Sequence, residues 1–284
     1  MRRPPTALIQ ALLFGLPLAL CAAPLALDVT LGAKLAWLAA LPFAYATTFA
    51  LLAGCVGRIA AAGIVPGRFR RSAEDPIYAR RMVFGIAWTS LYYFKPVYHL
   101  VLGNKPLKAA VLRLFGYRGS LDVTTYPDTW IRDLPLLDLG PGVYLSNRAT
   151  LGTNVVLRDG RILVDRITIG ARTVVGHLSM IGPGARFGAD CQVGVGSAIG
   201  FKVECGDRVD LGPRCDVHHG AVLEDEVTLG YAAKIGAKAR IARGVKIPDC
   251  AVVPARAVIA TQEEADALVR GRREREARVE SRAA

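Results

Sequence analysis

The chain is poor in the residues from which most catalytic centres are built. It holds four His and three Met in 284 residues, and none of its six Cys forms a Cys-x-x-Cys pair. His177 stands alone, and His218 and His219 are adjacent, so the spacing of a three-His metal site is missing and no metal is expected. Acidic side chains are scarce at the start: residues 1–120 carry 3 against 14 basic ones. This excess lies beside the most apolar part of the chain and is not interleaved with aromatics in its body. That argues for anionic lipid head groups and against nucleic acid. With 52% apolar and 21% charged residues, a disordered chain is excluded.

Charge is missing altogether from two long runs, the 24 residues between Arg3 and Asp28 and the 23 between Lys34 and Arg58. A spanning helix needs about 20 apolar residues, so both runs qualify. They read as a transmembrane helical hairpin over residues 1–60, turning around Asp28–Lys34. A cleaved signal peptide is the alternative for the first run, with Arg2–Arg3 as its charged end and Ala22–Ala23 as its small-residue site. Arg2 and Arg3 precede the hairpin, and Arg58, Arg68, Arg70, Arg71, Arg80 and Arg81 follow it. Positive charge stays on the cytoplasmic side, which predicts a multi-pass inner-membrane protein whose remaining chain faces the cytoplasm. Residues 61–138 read as basic interfacial helices and a connector. The uncharged run Met82–Phe94 is too short to span, and Trp88, Tyr92, Tyr93 and Tyr98 suit a membrane interface.

From Leu139 the sequence repeats every six residues. Of the 21 positions 139, 145, 151 and onward to 259, 19 hold Leu, Ile or Val, and the other two are Phe187 and Cys205. The following position is Gly in 12 of 20 hexads, and the fifth is Ala, Ser, Cys, Thr or Val in 18 of 20. A period of six is neither helical nor simple strand alternation. It predicts a three-sided solenoid over 139–261, with aliphatic residues inward, small residues in the narrow interior and Gly at the corners. Cys191 and Cys215 fall on the small position and Cys205 on the aliphatic one. The hexads at Leu157 and Leu163 break the pattern with Arg158, Arg161 and Val164, and Asp159-Gly160 predicts a local turn there. Residues 262–284 read as a charged tail or helix.

This repeat resembles that of the hexapeptide-repeat, left-handed β-helix proteins. The resemblance implies an all-β left-handed parallel β-helix that assembles as a homotrimer. It also implies acyl transfer from coenzyme A or acyl carrier protein, with acetyl-CoA or another acyl-CoA as co-substrate and no permanently bound cofactor. Such chemistry asks for one base to take a proton from the attacking hydroxyl or amine, because a thiolate leaves readily. Two His occupy the third hexad position, where several of these acyltransferases place their base. His177, in Gly176-His177-Leu178-Ser179-Met180-Ile181-Gly182, resembles the motif of enzymes that acetylate glucosamine 1-phosphate. Asp159 lies 18 residues earlier and, in unbroken register, would stack beneath His177 and orient it. His219, in Val217-His218-His219-Gly220-Ala221, is the second candidate, on a different side of the prism. Lys234, Lys238, Arg240, Arg243 and Lys246 gather in the last coils, where relatives bind the coenzyme A phosphates.

Leu112-Arg113-Leu114-Phe115-Gly116, Leu137-Asp138-Leu139-Gly140 and Ile167-Thr168-Ile169-Gly170 further resemble the membrane-bound C-terminal domains of poly-lysine-type non-ribosomal peptide synthetases. The combined expectation is a membrane-anchored acyltransferase. It would move an acetyl or other short acyl group to a hydroxyl or amine of an envelope glycan or lipid precursor. Amide-bond formation on a thioester-bound amino acid and a non-catalytic trimeric scaffold are the alternatives.

Overall fold

The computed structural model describes residues 6–72 and 74–268. They fall into two compact units. The first holds the chain up to Arg118 together with Arg132–Leu136 and Val156–Leu163; the second holds the rest.

The first unit is helical: α1 (Thr6–Ala22), α2 (Leu31–Ala60), α3 (Pro76–Tyr93), α4 (Lys95–Gly103) and α5 (Lys105–Leu114). Three starts are capped by side chains that accept otherwise orphaned backbone N–H groups. Thr30 caps α2, Asp75 caps α3 and Asn104 caps α5. Gly54 and Gly57 let α5 close on α2, since a Cβ on Gly57 would lie 2.4 Å from the Phe115 ring. Phe115 meets Phe84 and Trp88 edge-on at centroid distances of 5.6 and 5.1 Å. The aromatic residues expected at a membrane interface are mostly inside this core. Trp88, Tyr92 and Tyr98 are buried, and only Tyr93 is exposed. Each such ring buries a large apolar area, so these rings weigh heavily in the helical core. An ion pair of 2.7 Å joins Arg81 to Asp133, both buried. Helices α1 and α2, each with a short 3₁₀ extension, are long and apolar enough to cross a membrane.

The second unit is a parallel β-solenoid of three sheets, each with seven short strands. Sheet 1 runs from Val123–Thr125 to Lys246–Ile247, sheet 2 from Trp130–Ile131 to Val252–Val253, and sheet 3 from Leu137–Leu139 to Val258–Ile259. The sheets therefore begin at Val123, before the first recognisable hexad at Leu139. From Val174 on, strands pair at an offset of 18 residues, as in Val175↔Val193 and Ile181↔Ile199. The aliphatic hexad residues form the interior, with Val175, Ile181, Val193 and Leu211 all buried. The small position does more than fit a narrow space. Ser179, Ser197 and Cys215 form an internal ladder in which Ser197 Oγ donates to the Gly212 carbonyl and accepts from the Cys215 amide, each at 3.1 Å.

Two expectations change. Between the second and third coils the offset is 30, as Val175↔Leu145 and Ile181↔Leu151 show. Two hexads leave the coil as a hairpin of strands Asn154–Val156 and Arg161–Val164. Twelve extra residues preserve the six-residue phase, so Leu157 and Leu163 fit the pattern without being rungs. The glycines after the aliphatic position are also not the left-handed corner residues. That conformation falls two residues later, on residues such as Leu178, Asp190, Lys202 and Arg208, with φ of 51–59°. Gly is needed earlier because the coils touch there: a Cβ on Gly194 would lie 2.4 Å from the Gly212 carbonyl carbon. Beyond Thr261 the chain is helical over 262–268, and the remainder of the expected charged tail lies outside the described residues.

Candidate functional site

A cavity of about 500 Å³ lies on sheet 2 and the corner that leads to sheet 3. Its lining includes Met180, Ile199 and Val217, and polar groups come from Thr150, Asn154, Asp216, His218 and His219. The solenoid register places them: Thr150, Met180, Ala198 and Asp216 are successive residues of one outward row, paired strand to strand. Asn154 and Val155 begin the hairpin, so the break in the hexads contributes one wall.

His219 is held by two contacts with Phe201, which lies 18 residues earlier and one coil away. The rings are nearly parallel, 7° apart, with centroids at 4.3 Å. The Phe201 amide donates to His219 Nδ1 at 3.3 Å. Space for the imidazole comes from Gly200, where a Cβ would lie 2.8 Å from Nδ1. His218 sits in the hexad slot that Gly fills in most coils, and its ring centroid is 6.5 Å from that of His219. Both His are exposed. Asp216 is half-buried and stands beside Lys234 in the paired register.

His177 lies elsewhere, half-buried on the corner between sheets 1 and 2 and outside the cavity lining. Asp159 does not stack beneath it. Asp159 is at the turn of the hairpin, where its carboxylate accepts the Arg161 amide at 3.0 Å and pairs with Arg161 Nε at 3.6 Å. The 30-residue offset puts Asn147 in the place that an 18-residue offset would have given Asp159. The five basic residues of the last coils are also not one cluster. Lys234 projects from sheet 2, Arg240 from sheet 3 and Lys246 from sheet 1. Arg243 is engaged with Glu226 at 3.1 Å, and Arg208 and then Arg243 hold the Glu226 carboxyl below the usual range. None of the five lines the cavity; Lys234 pairs in register with Asp216, and the Lys238 amide donates to the His219 carbonyl at 2.9 Å, so these two neighbour lining residues.

Residues 18 apart share a corner, so Phe201 could have been paired with His219 from the hexad count alone. Asn154 could not, because nothing in the hairpin sequence says which wall it joins. His218 carried a signal of its own, as a bulky residue in a Gly slot.

No known family's sequence profile matches the chain, and no curated protein matches it. Solved structures do. A hexapeptide transferase family protein from Anaplasma phagocytophilum is 14% identical, with a TM-score of 0.40, over 52% of this chain and 86% of the other. PerB from Caulobacter crescentus, solved with CoA and GDP-perosamine, is 19% identical, with a TM-score of 0.34, over 53% of this chain and 60% of PerB. The acetyltransferase domain of PglB from Neisseria gonorrhoeae, solved with acetyl coenzyme A, is 18% identical, with a TM-score of 0.28, over 55% and 65%. The chain thus spans about three fifths of the length of PerB.

Proposed function

We propose that this chain is a membrane-anchored acyltransferase built on a left-handed β-helix. It moves an acetyl or other short acyl group from coenzyme A to a hydroxyl or amine of an envelope glycan or lipid precursor. The observation that carries this reading is the sheet-2 cavity, which sets two imidazoles and a carboxylate at the edge of an apolar floor. An acyl thioester needs little else: a group to take the acceptor's proton and a donor for the carbonyl oxygen. The proton-accepting group is assigned to the cavity rim, as His218, with His219 beside it. Lys234 and Lys238, next to lining residues Asp216 and His219, are the proposed partners of the donor's phosphates, and a homotrimer is the proposed assembly.

Anchoring is supported by α1 and α2, whose apolar side chains Leu8, Leu31 and Phe43 are well exposed and lack a protein core to enter. Lipid would cover them. The Arg-rich flanks support a cytoplasmic solenoid, where coenzyme A is available.

The test uses the full chain in detergent with acetyl-CoA and a panel of amino sugars, lipid-linked sugars and simple amines. Acceptor-dependent release of the coenzyme A thiol, lost in His218→Ala, is the expected result. Thiol release with no acceptor in the panel, or an unaltered rate in both His218→Ala and His219→Ala, would overturn it. A reporter fused after Ala284 should be active only as a cytoplasmic one.

A further inference from the structure

His219 belongs to a series of corner residues with a shared task. Asp207, Asp225 and Asp249 each turn a carboxylate oxygen back onto the amide 18 residues earlier, accepting from Ala189 at 2.7 Å, Asp207 at 2.9 Å and Tyr231 at 2.7 Å. His219 does the same for Phe201 through Nδ1, at the longer distance of 3.3 Å. A carboxylate therefore caps this amide more closely than an imidazole does, and capping alone does not account for a His here.

The cap decides which nitrogen carries the proton. A ring nitrogen that accepts from a backbone N–H is unprotonated, so the neutral ring bears its hydrogen on Nε2. The one lone pair of neutral His219 is then occupied, and Nε2 can only donate. An Asp at this corner could offer no such donor.

We propose that His219 is the hydrogen-bond donor to the carbonyl oxygen of the bound acyl thioester rather than its general base, its tautomer fixed by the backbone amide of Phe201 and its ring steadied by the Phe201 ring. The proposal rests on the acyl-transfer reading of the cavity. In the step it describes, the acceptor's oxygen or nitrogen forms a bond to the thioester carbonyl carbon. The carbonyl π pair moves onto oxygen, against His219 Nε2–H, and the acceptor's proton passes to His218. Collapse restores the C=O bond and breaks the C–S bond, whose pair stays on sulfur. The proton on His218 then goes to the thiolate, and both imidazoles end as they began. Neutral imidazoles polarise carbonyl groups in this way in other enzymes.

The experiment is long-range ¹⁵N–¹H correlation on the full chain labelled at His, in detergent, with His219→Ala assigning the signal. The expected result is a His219 ring protonated on Nε2 when neutral, and still so in Phe201→Leu, which removes the stacked ring but keeps the backbone N–H that caps Nδ1. Kinetics supply the second arm. Removing an oxyanion donor typically lowers kcat about 10²–10³-fold, so His219→Ala should lose that much, while His219→Gln, which can donate but not accept a proton, should lose no more than about tenfold. The acid limb of the kcat/KM profile should survive in His219→Gln. An Nδ1–H tautomer, or a His219→Gln as inactive as His219→Ala and without the acid limb, overturns the proposal. A wild-type chain that transfers no acyl group yet shows the Nε2–H tautomer overturns the function reading instead, and the donor role with it, while the ring geometry stands.

Discussion

Asn147 lies one coil beneath His177, and its carbonyl accepts the amide of Leu178 at 3.4 Å. This relationship removes the carboxylate that sequence spacing would have placed there, and it leaves His177 on a corner that the cavity does not reach. His177→Ala and Asp159→Asn should each keep acyl transfer within about twofold of wild type, where loss of a general base lowers the rate about 10²–10⁴-fold. The coenzyme A thiol-release assay measures both. A loss of that size in His177→Ala would move the site to the other corner.

Two glycines two residues apart separate the two reasons for glycine in the repeat. Gly194 has an ordinary φ, but a Cβ there would lie 2.4 Å from the next coil's backbone. Gly196 has φ +69°, and the nearest atom to its Cβ would be Arg214 Cγ at 3.8 Å. Gly196→Ala should be destabilising by about 1–2 kcal/mol, the penalty of a left-handed residue with a Cβ. Gly194→Ala forces two coils apart and should be destabilising by more, at or above the usual 1–3 kcal/mol of overpacking. Urea unfolding of the two variants, followed by circular dichroism, should rank them in that order.

Much of the solenoid was legible because one slot repeats one demand. Val175, Val193 and Leu211 had to be apolar since each points into the same narrow interior, and Cys191 and Cys215 stood in slots that require small buried side chains. The hairpin was not legible in its extent. Leu157 and Leu163 keep the six-residue phase, and only pairing distances reveal that their hexads leave the coil. Trp88 and Tyr98 were misplaced for a related reason. Composition gives an aromatic ring's affinity for an apolar surface, but not whether that surface is lipid or Phe115. Of the candidate site residues, His177 was named by motif and His219 by its hexad position, and only His219 lines the cavity, whereas Asp159 was assigned through a register that the hairpin breaks.

The ladder inside the prism makes its own prediction. Ser197 is buried, donates to Gly212 and accepts from Cys215. Ser197→Ala keeps the volume nearly constant but leaves the Cys215 amide without this acceptor. An unsatisfied buried donor is destabilising by about 1–3 kcal/mol, so that is the expected loss in urea. Ser197→Cys should recover part of it, because Cys215 shows that a thiol in this slot can donate, to the Gly230 carbonyl at 3.1 Å. Equal losses in the two variants would mean that the ladder is only packing.

The buried thiols set the behaviour at alkaline pH. Burial pushes the Cys215 thiol from 9.0 up to about 11, and raises those of Cys191 and Cys205 as well. All three are neutral in the folded protein at pH 8 and should resist maleimide, while Cys250, exposed at a corner, should react, as peptide mass spectrometry would show. The sign of the linkage follows from the raised values. Below pH about 9 both folded and unfolded thiols keep their protons, and their preference for the interior counts in full. Between pH 9 and about 11 the unfolded chain releases protons that folded Cys215 retains, so stability falls across that window. Cys215→Ser would remove the titrating thiol and keep the small polar slot. Its urea midpoint should therefore decline less steeply from pH 8.5 to 10.5 than that of the wild type, and parallel slopes would show that ionisation of this thiol is not coupled to unfolding.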